Sequence, residues 1–582
     1  MPRKQREVLL TDFSRAKPAH ALSLEPAKGK WRLIPWHMDA RSGREKPLPQ
    51  PFWNYRFAKQ RPERVGNLLW GYPDKRLPPL SLPLNVRGWY AISVGILTPP
   101  WVSTRVLLRL SGERRWNEVW ARKSLGYWFE EHFWRIVEIA GHSLEIGSVA
   151  AWPVSADRNP CADVKFAGNT NASLTFVRLV PLKTEQVRAM QASPPIPCMR
   201  TIDGASFLYW SDPSVPAKWI VTREIDAFRG SSFTDVSWGI GGGDVVNYKS
   251  RVGTLGRIPE PLPMTEKGWA IAGVNLRRIL AQVANPATWA AERARRGGMK
   301  FWIGHRIQTY MFEPPQDSTF FSEFCQNNPQ WACRNRQGER LMYMSLAFPQ
   351  VRKMLLDLLA ECLCSRPYGI HLVLNRCMPY TYFEKPVVDG FRRLHKLDIR
   401  TLNTTDRRVI AFRARFMTQF LRELRALLVA KGRPEIKIAA NVFQDRAINA
   451  EYGLDVVTWA KKGLVDRLCP FRWEGLMDRK IDMAFWIRKV KKNTACEIFP
   501  FVAIQHREVN TPVEDIRARA LKLYCAGADG LCWWDAEPFA TTTNWGNRAE
   551  LEVWAGIKPL FLGPMHTVGA FLVDEMPAYN AF

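Results

Sequence analysis

Five acidic side chains fall just beyond stretches that read as apolar strands: Asp244, Glu313, Glu384, Asp445 and Asp535, with Glu537 beside the last. Carboxyl groups brought to one place can divide a task. One, held protonated, gives its proton to a leaving oxygen; another, ionised, attacks or activates water. That is the chemistry of glycosidic-bond cleavage. Aromatic rings accompany the acids, most densely at 527–538, which reads Gly-Ala-Asp-Gly-Leu-Cys-Trp-Trp-Asp-Ala-Glu-Pro. Flat rings offer a surface on which a sugar can stack. Successive side chains on a strand alternate faces, so one of Trp533 and Trp534 is expected at the site and the other in the core.

Glu384 is expected as the general acid/base. It follows Tyr380, Tyr382 and Phe383, and a partly desolvated carboxyl group has a raised pKa. Asp535 is expected as the second carboxylate, with Asp445 close behind. Substrate contacts are expected from Asp244, Asn247, His305, Glu313, Asn375, Arg376, Tyr382, Asn441, His506, Trp533, Trp534 and Glu537. Arg376 presents a fork of donors suited to a hydroxyl or carboxylate, or to a salt bridge with a rim acid. Each acid also has a plainer role open to it, accepting backbone hydrogen bonds to hold a loop. The histidines are dispersed and could equally be structural.

Other chemistries lack their patterns. The run Gly239-Ile-Gly-Gly-Gly-Asp244 has no Gly-Lys-Ser/Thr after it and is no dinucleotide fingerprint; it reads as a tight turn. No His-Glu-x-x-His, Cys-x-x-Cys or Gly-x-Ser-x-Gly occurs. No metal and no cofactor are expected. The 11 cysteines include Cys469, Cys496 and Cys532 within apolar strands, which read as small buried thiols in a reducing compartment.

These side chains need a frame that gathers them. From about residue 199, candidate strands alternate with amphipathic helices: 205–209, 235–240, 300–305, 369–374, 436–441, 465–469, 495–502 and 529–533. Eight such units predict a (β/α)8 TIM barrel over 199–582, with chemistry at the C-terminal strand ends. Residues 70–185 carry short alternating strands, as in 82–96 and 104–110, and predict an all-β sandwich. Residues 186–198 read as a linker, and residues 1–69, rich in Pro, Lys and Arg, as an irregular arm.

A chain of 582 residues with 46% hydrophobic content can bury a large core. Its 25 tryptophans suit both cores and stacking surfaces. The net charge of +28 favours acidic partners, so an anionic glycan is a candidate ligand. The basic residues are scattered rather than clustered, which speaks against nucleic acid. No stretch is apolar enough to span a membrane, and the first residues lead into no apolar signal core, so a cytoplasmic protein is expected.

Several motifs together resemble the family-10-type, glycosyl-hydrolase-like TIM-barrel proteins of bacteria. They are 241–248 (Gly-Gly-Gly-Asp-Val-Val-Asn-Tyr), 308–315 (Gln-Thr-Tyr-Met-Phe-Glu-Pro-Pro), 382–388 (Tyr-Phe-Glu-Lys-Pro-Val-Val), 452–459 (Tyr-Gly-Leu-Asp-Val-Val-Thr-Trp) and Trp533-Trp534-Asp535. The β-rich segment with Gly88-Trp-Tyr-Ala-Ile92 is similar to domains that accompany such barrels. The resemblance implies hydrolysis or binding of a polysaccharide or glycoconjugate. It also carries a departure. Family-10 xylanases place Asn-Glu after the fourth strand and a Glu after the seventh; here the fourth ends Asn375-Arg376, and the seventh reaches Gln505-His506 before Glu508. Catalysis would need other rim acids, and non-catalytic carbohydrate binding is the alternative.

Overall fold

The computed structural model describes residues 6–38, 64–72, 77–98, 103–121, 128–148, 170–202, 204, 208, 211, 213–256, 267–308, 321–471, 481–504, 513–535, 544–559 and 570–572. The chain forms two compact units, Met1–Pro195 with Glu537–Phe582, and Ile196–Ala536.

The first unit is β-rich. One antiparallel sheet orders Val8–Leu10, Phe176–Pro181, Arg87–Thr98 and Trp128–Ala140. A second, larger and mostly antiparallel sheet includes Trp31–Met38, Arg64–Gly71, Ser103–Leu110, Ser143–Ser148 and Leu80–Pro83. Ile92, Val94 and Ile96 of the first sheet and Val106, Leu108 and Leu110 of the second belong to one buried cluster. The two-residue spacing of both trios is why one face of each strand is apolar.

Two expected boundaries are corrected. Part of the stretch before residue 70 is woven into these sheets rather than forming an arm. Trp31–Met38 pairs with Arg64–Gly71, and Phe13 and Trp31 are fully buried. The apolar runs that drive this, such as Leu33-Ile34 and Leu68-Leu69-Trp70, are short and set among prolines and basic residues, and they pair far along the chain. The barrel segment also does not run to residue 582. Ala570–Leu572 pairs with Trp31–Met38, and helix Arg548–Ala555 packs Ala549 and Val553 against Met190 of helix Thr184–Ala192.

The second unit alternates strands with helices. The helix Arg407–Ala430 buries Val409, Phe412, Met417, Phe420, Leu421, Leu424 and Leu428, the spacing of a one-sided apolar stripe. Apart from a short antiparallel pair, Ala332–Arg334 with Arg340–Met344, and the short strands Val245–Val246 and Thr254–Leu255 beside the second main strand, the main strands form one curled, parallel sheet. In chain order they are Cys198–Ile202, Phe233–Gly242, Lys300–Arg306, Gly369–Val373, Lys437–Phe443, Arg467–Phe471, Glu497–Ile498 with Phe501–Ile504, and Leu531–Trp534. Each pairs in parallel with the next through the sixth, and the first pairs with Leu531–Trp534. The seventh is broken at Phe499-Pro500. Its first half pairs with the sixth strand and its second half with the eighth.

The first strand lies at Cys198–Ile202, not 205–209 as expected. Its sequence, Cys-Met-Arg-Thr-Ile, is disguised by Arg200, which is fully buried and bonded to Glu224 Oε2 at 2.5 Å. The cation is tolerated there because its charge is met.

The curl is visible in one contact. Arg467 Nη1 on the sixth strand reaches Asp235 Oδ1 on the second at 2.9 Å, across the inner face. Three strands separate the two in the sheet, so a flat sheet would hold them far apart. Trp302 Nε1 donates to the same Asp235 oxygen at 2.8 Å, and the Arg467 guanidinium lies 3.6 Å from the centre of the Phe499 ring. Both charged residues are almost wholly buried. Removing one member of such a pair strands the other without water. Arg467→Met is therefore expected to destabilise the protein by about 3–5 kcal/mol, read as a lowered urea midpoint; an unchanged midpoint would contradict the cross-sheet pair.

Candidate ligand site at the C-terminal mouth

The inner face can be followed strand by strand. Trp302 faces inward, so on the third strand Gly304 and Arg306 share its side while His305 turns to the helices. Gly304 has no room for a side chain, since a Cβ there would lie 2.7 Å from Ser237 Oγ. That clearance leaves space for the imidazole of His371 on the fourth strand. Its Nδ1 lies 2.8 Å from Ser237 Oγ, and its Nε2 lies 2.7 Å from Asn441 Oδ1 on the fifth. An amide oxygen only accepts, so Nε2 donates a proton to Asn441 Oδ1, while Nδ1 and Ser237 Oγ share the other bond. The chain of bonds fixes Asn441 by its oxygen.

Asn441 Nδ2 is left with no partner, although the residue is fully buried. Asn375, just past the fourth strand, is equally buried, and neither of its amide atoms has a partner. Each buried polar atom left unmade costs about 1–3 kcal/mol. Such atoms are normally satisfied by ordered water or by a ligand.

Arg376, next to Asn375 in the chain, and Arg306 at the end of the third strand approach one aromatic ring. Trp534 ends the eighth strand facing inward, with Phe471 edge-on at 6.0 Å. The guanidinium of Arg376 lies 5.3 Å from the centre of the Trp534 ring, and that of Arg306 lies 5.9 Å from it. Both are within cation–π range. Trp533 alternates to the other side and packs edge-on against Phe233 at 5.0 Å. One tryptophan of the pair thus lies at the mouth and the other behind the sheet.

The acids expected to converge are mostly spoken for. Glu384 is 1% exposed and sits at the N-cap of helix Lys385–His395. Ser345 Oγ donates to Oε1, and the Tyr382 amide approaches Oε1 and Oε2 at 3.1 and 3.0 Å. Burial raises its pKa, while the Ser345 hydroxyl and nearby amides oppose that shift. This geometry makes Glu384 a loop anchor rather than an open-mouth acid. Asp445 caps helix Arg446–Glu451, accepting from Ala447 N at 2.7 Å and Ile448 N at 3.3 Å. Asp244 is buried, accepts from Thr254 Oγ1 at 2.6 Å and Ser322 Oγ at 2.5 Å, and ties two loops together. Asp535 is half-buried at the end of the eighth strand in a left-handed conformation (φ 54°), with its amide donating to Thr201 O at 2.9 Å.

The remaining expected contacts divide in the same way. Asn247 Nδ2 binds Gly204 O at 2.5 Å and Gly239 O at 3.2 Å, joining the ends of two strands. His305 is buried on the helix side, and burial pushes its pKa down to about 4, so it stays neutral. Tyr382 lies under Arg413, whose guanidinium is 4.6 Å from its ring. Glu313, His506 and Glu537 lie outside the described residues. Among the described residues no cluster of His, Cys, Asp and Glu could hold a metal ion, and no helix is long and apolar enough to cross a membrane.

The sequence reading did not assign Arg306, Ser237 or His371 to the site. The available signal was parity. Polar residues such as His371 and Asn375 fall on one parity of an otherwise apolar strand, and so on one face of the sheet.

No protein-family model matches the chain, and no curated protein matches it either. Among solved structures, the chain is similar to the glycoside hydrolase domain of PgaB (BpsB) from Bordetella bronchiseptica, at TM-score 0.40 and 14% identity, covering 60% of this chain and 96% of that one. It is similar to a ruminal GH26 endo-beta-1,4-mannanase at TM-score 0.30 and 11% identity, covering 91% and 97%. A chitinase from Bacteroides thetaiotaomicron follows at TM-score 0.32 and 11% identity, covering 62% and 97%.

Glu384 makes a testable case of anchoring. Its pKa is raised in the folded protein, so the native state holds the proton more tightly than the unfolded chain. Its contribution is fully present below the ordinary glutamate pKa of about 4.3 and is lost as pH rises through the higher folded value. The stability of the wild type relative to Glu384→Gln should therefore fall as pH rises from acid toward neutral in denaturant titrations. A difference that grows in favour of the wild type would contradict the burial argument.

Proposed function

We propose that the protein binds carbohydrate on a glycosidase-type scaffold: a β-sandwich and a closed (β/α)8 barrel whose C-terminal mouth receives a glycan. The broken seventh strand supports closure, because its two halves pair with the strands on either side. The observation that carries the functional reading is the amide pair at the mouth. Asn375 and Asn441 are fully buried, and three of their four side-chain polar atoms have no partner. An amide both donates and accepts, as a sugar hydroxyl does, so the two are chemically matched. Mouths of parallel barrels are where such folds place their ligands.

Hydrolysis is the second reading, and Asp535 is the observation that favours it. A non-glycine residue with positive φ is uncommon, and one at a strand end next to an inward-facing indole suits a functional carboxylate. With Glu384, Asp445 and Asp244 engaged in holding loops, a second acid would have to complete the pair.

The two readings separate in one experiment. Wild type, Asn375→Ala, Asn441→Ala and Asp535→Asn are compared for glycan retention and for release of new reducing ends. Binding is expected in the wild type, about tenfold weaker in each Asn variant and unchanged in Asp535→Asn. Turnover abolished by Asp535→Asn would select the hydrolase; no glycan retained by the wild type would reject the proposal.

A further inference from the structure

We propose that the glycan is acidic, and that Arg306 and Arg376 read a carboxylate or sulfate on it at the Trp534 ring. The inference rests on the carbohydrate reading above and adds the substrate class.

Two guanidinium groups, from the end of the third strand and the turn after the fourth, approach one indole at 5.9 and 5.3 Å. A guanidinium carries five N–H donors in a rigid planar fork that matches a carboxylate. Two such forks at one site suit an anionic oxygen group, which accepts paired N–H bonds. A neutral hydroxyl uses only part of that capacity.

Asn375 gives the second observation. It precedes Arg376 in the chain, is fully buried, and offers both a donor and an acceptor with no partner. Asn441 Nδ2 adds another unpartnered donor, with its amide orientation fixed through His371 and Ser237. The site thus combines charged forks for an acid group with amides for the neighbouring hydroxyls. Asp535 follows Trp534 directly in the chain. The net charge of +28 supplies a long-range field of the same sense as the two arginines.

The test is calorimetric titration of the full chain with oligogalacturonate, its carboxyl-reduced neutral counterpart, a heparin-derived sulfated oligosaccharide and a single-stranded oligonucleotide. The acidic sugars are expected to bind at least about tenfold tighter than the neutral one. Arg306→Gln and Arg376→Gln should each remove most of that preference. Arg376→Lys, which keeps the charge without the fork, should remove part of it. Lys492→Gln, at an exposed position outside the mouth, should leave it intact. The galacturonate and heparin arms distinguish carboxylate from sulfate. Equal binding of acidic and neutral sugars, unaffected by the arginine variants, would overturn this inference and leave glycan binding standing. Failure of every oligosaccharide to bind would overturn the reading beneath it. Tighter binding of the oligonucleotide through the same arginines would replace it with a nucleic-acid site.

Discussion

The second unit depends on a buried charge pair. Arg467 crosses the inner face of a parallel sheet to Asp235, and Trp302 donates to the same carboxylate. Ion pairs taken out of water return little net stability, but they are specific about partners. This one can form only if the second and sixth strands face each other. It therefore holds the sheet in its curl and gives the third to fifth strands a common inside. The layers above it follow. His371 bridges Ser237 and Asn441, and Trp534 lies beneath Arg306 and Arg376.

Polarity thus continues from the floor of the curled sheet to its mouth, but the balance changes. At the floor every charge is met. In the middle layer the imidazole is satisfied on both sides. At the mouth, amide groups remain without partners, although equally buried. These amides leave unmade hydrogen bonds of the kind that ordered water or a ligand completes. The acids, by contrast, mostly stabilise loops: Asp445 and Glu384 sit at helix N-termini, where negative charge is favoured, and Asp244 clips two segments together.

Much of this was legible from sequence. The alternation of apolar strands with amphipathic helices located seven of the eight main parallel strands of the second unit to within a few residues. The first escaped because Arg200 interrupts it, and a buried arginine is credible only once Glu224 is seen beside it. The strands at Val8–Leu10 and Trp31–Met38 escaped because pairing partners far along the chain, not local pattern, make them strands. For the site, residue type was informative and position was not enough. Asp445, two residues past a strand, looked the same as a catalytic acid until its bonds to Ala447 and Ile448 showed a helix cap. Trp533 and Trp534 were correctly expected to part company, because strand alternation is a property of the backbone alone. His305 was expected at the rim, yet the same alternation, counted from Trp302, sends it outward.

If the buried amides and the guanidiniums beside Trp534 form a glycan site, a crystal structure with a bound acidic oligosaccharide will place the acid group between Arg306 and Arg376, with ring hydroxyls on Asn375 and Asn441. An oligosaccharide ordered elsewhere, with Asn375 and Asn441 contacting only protein or water, would contradict it.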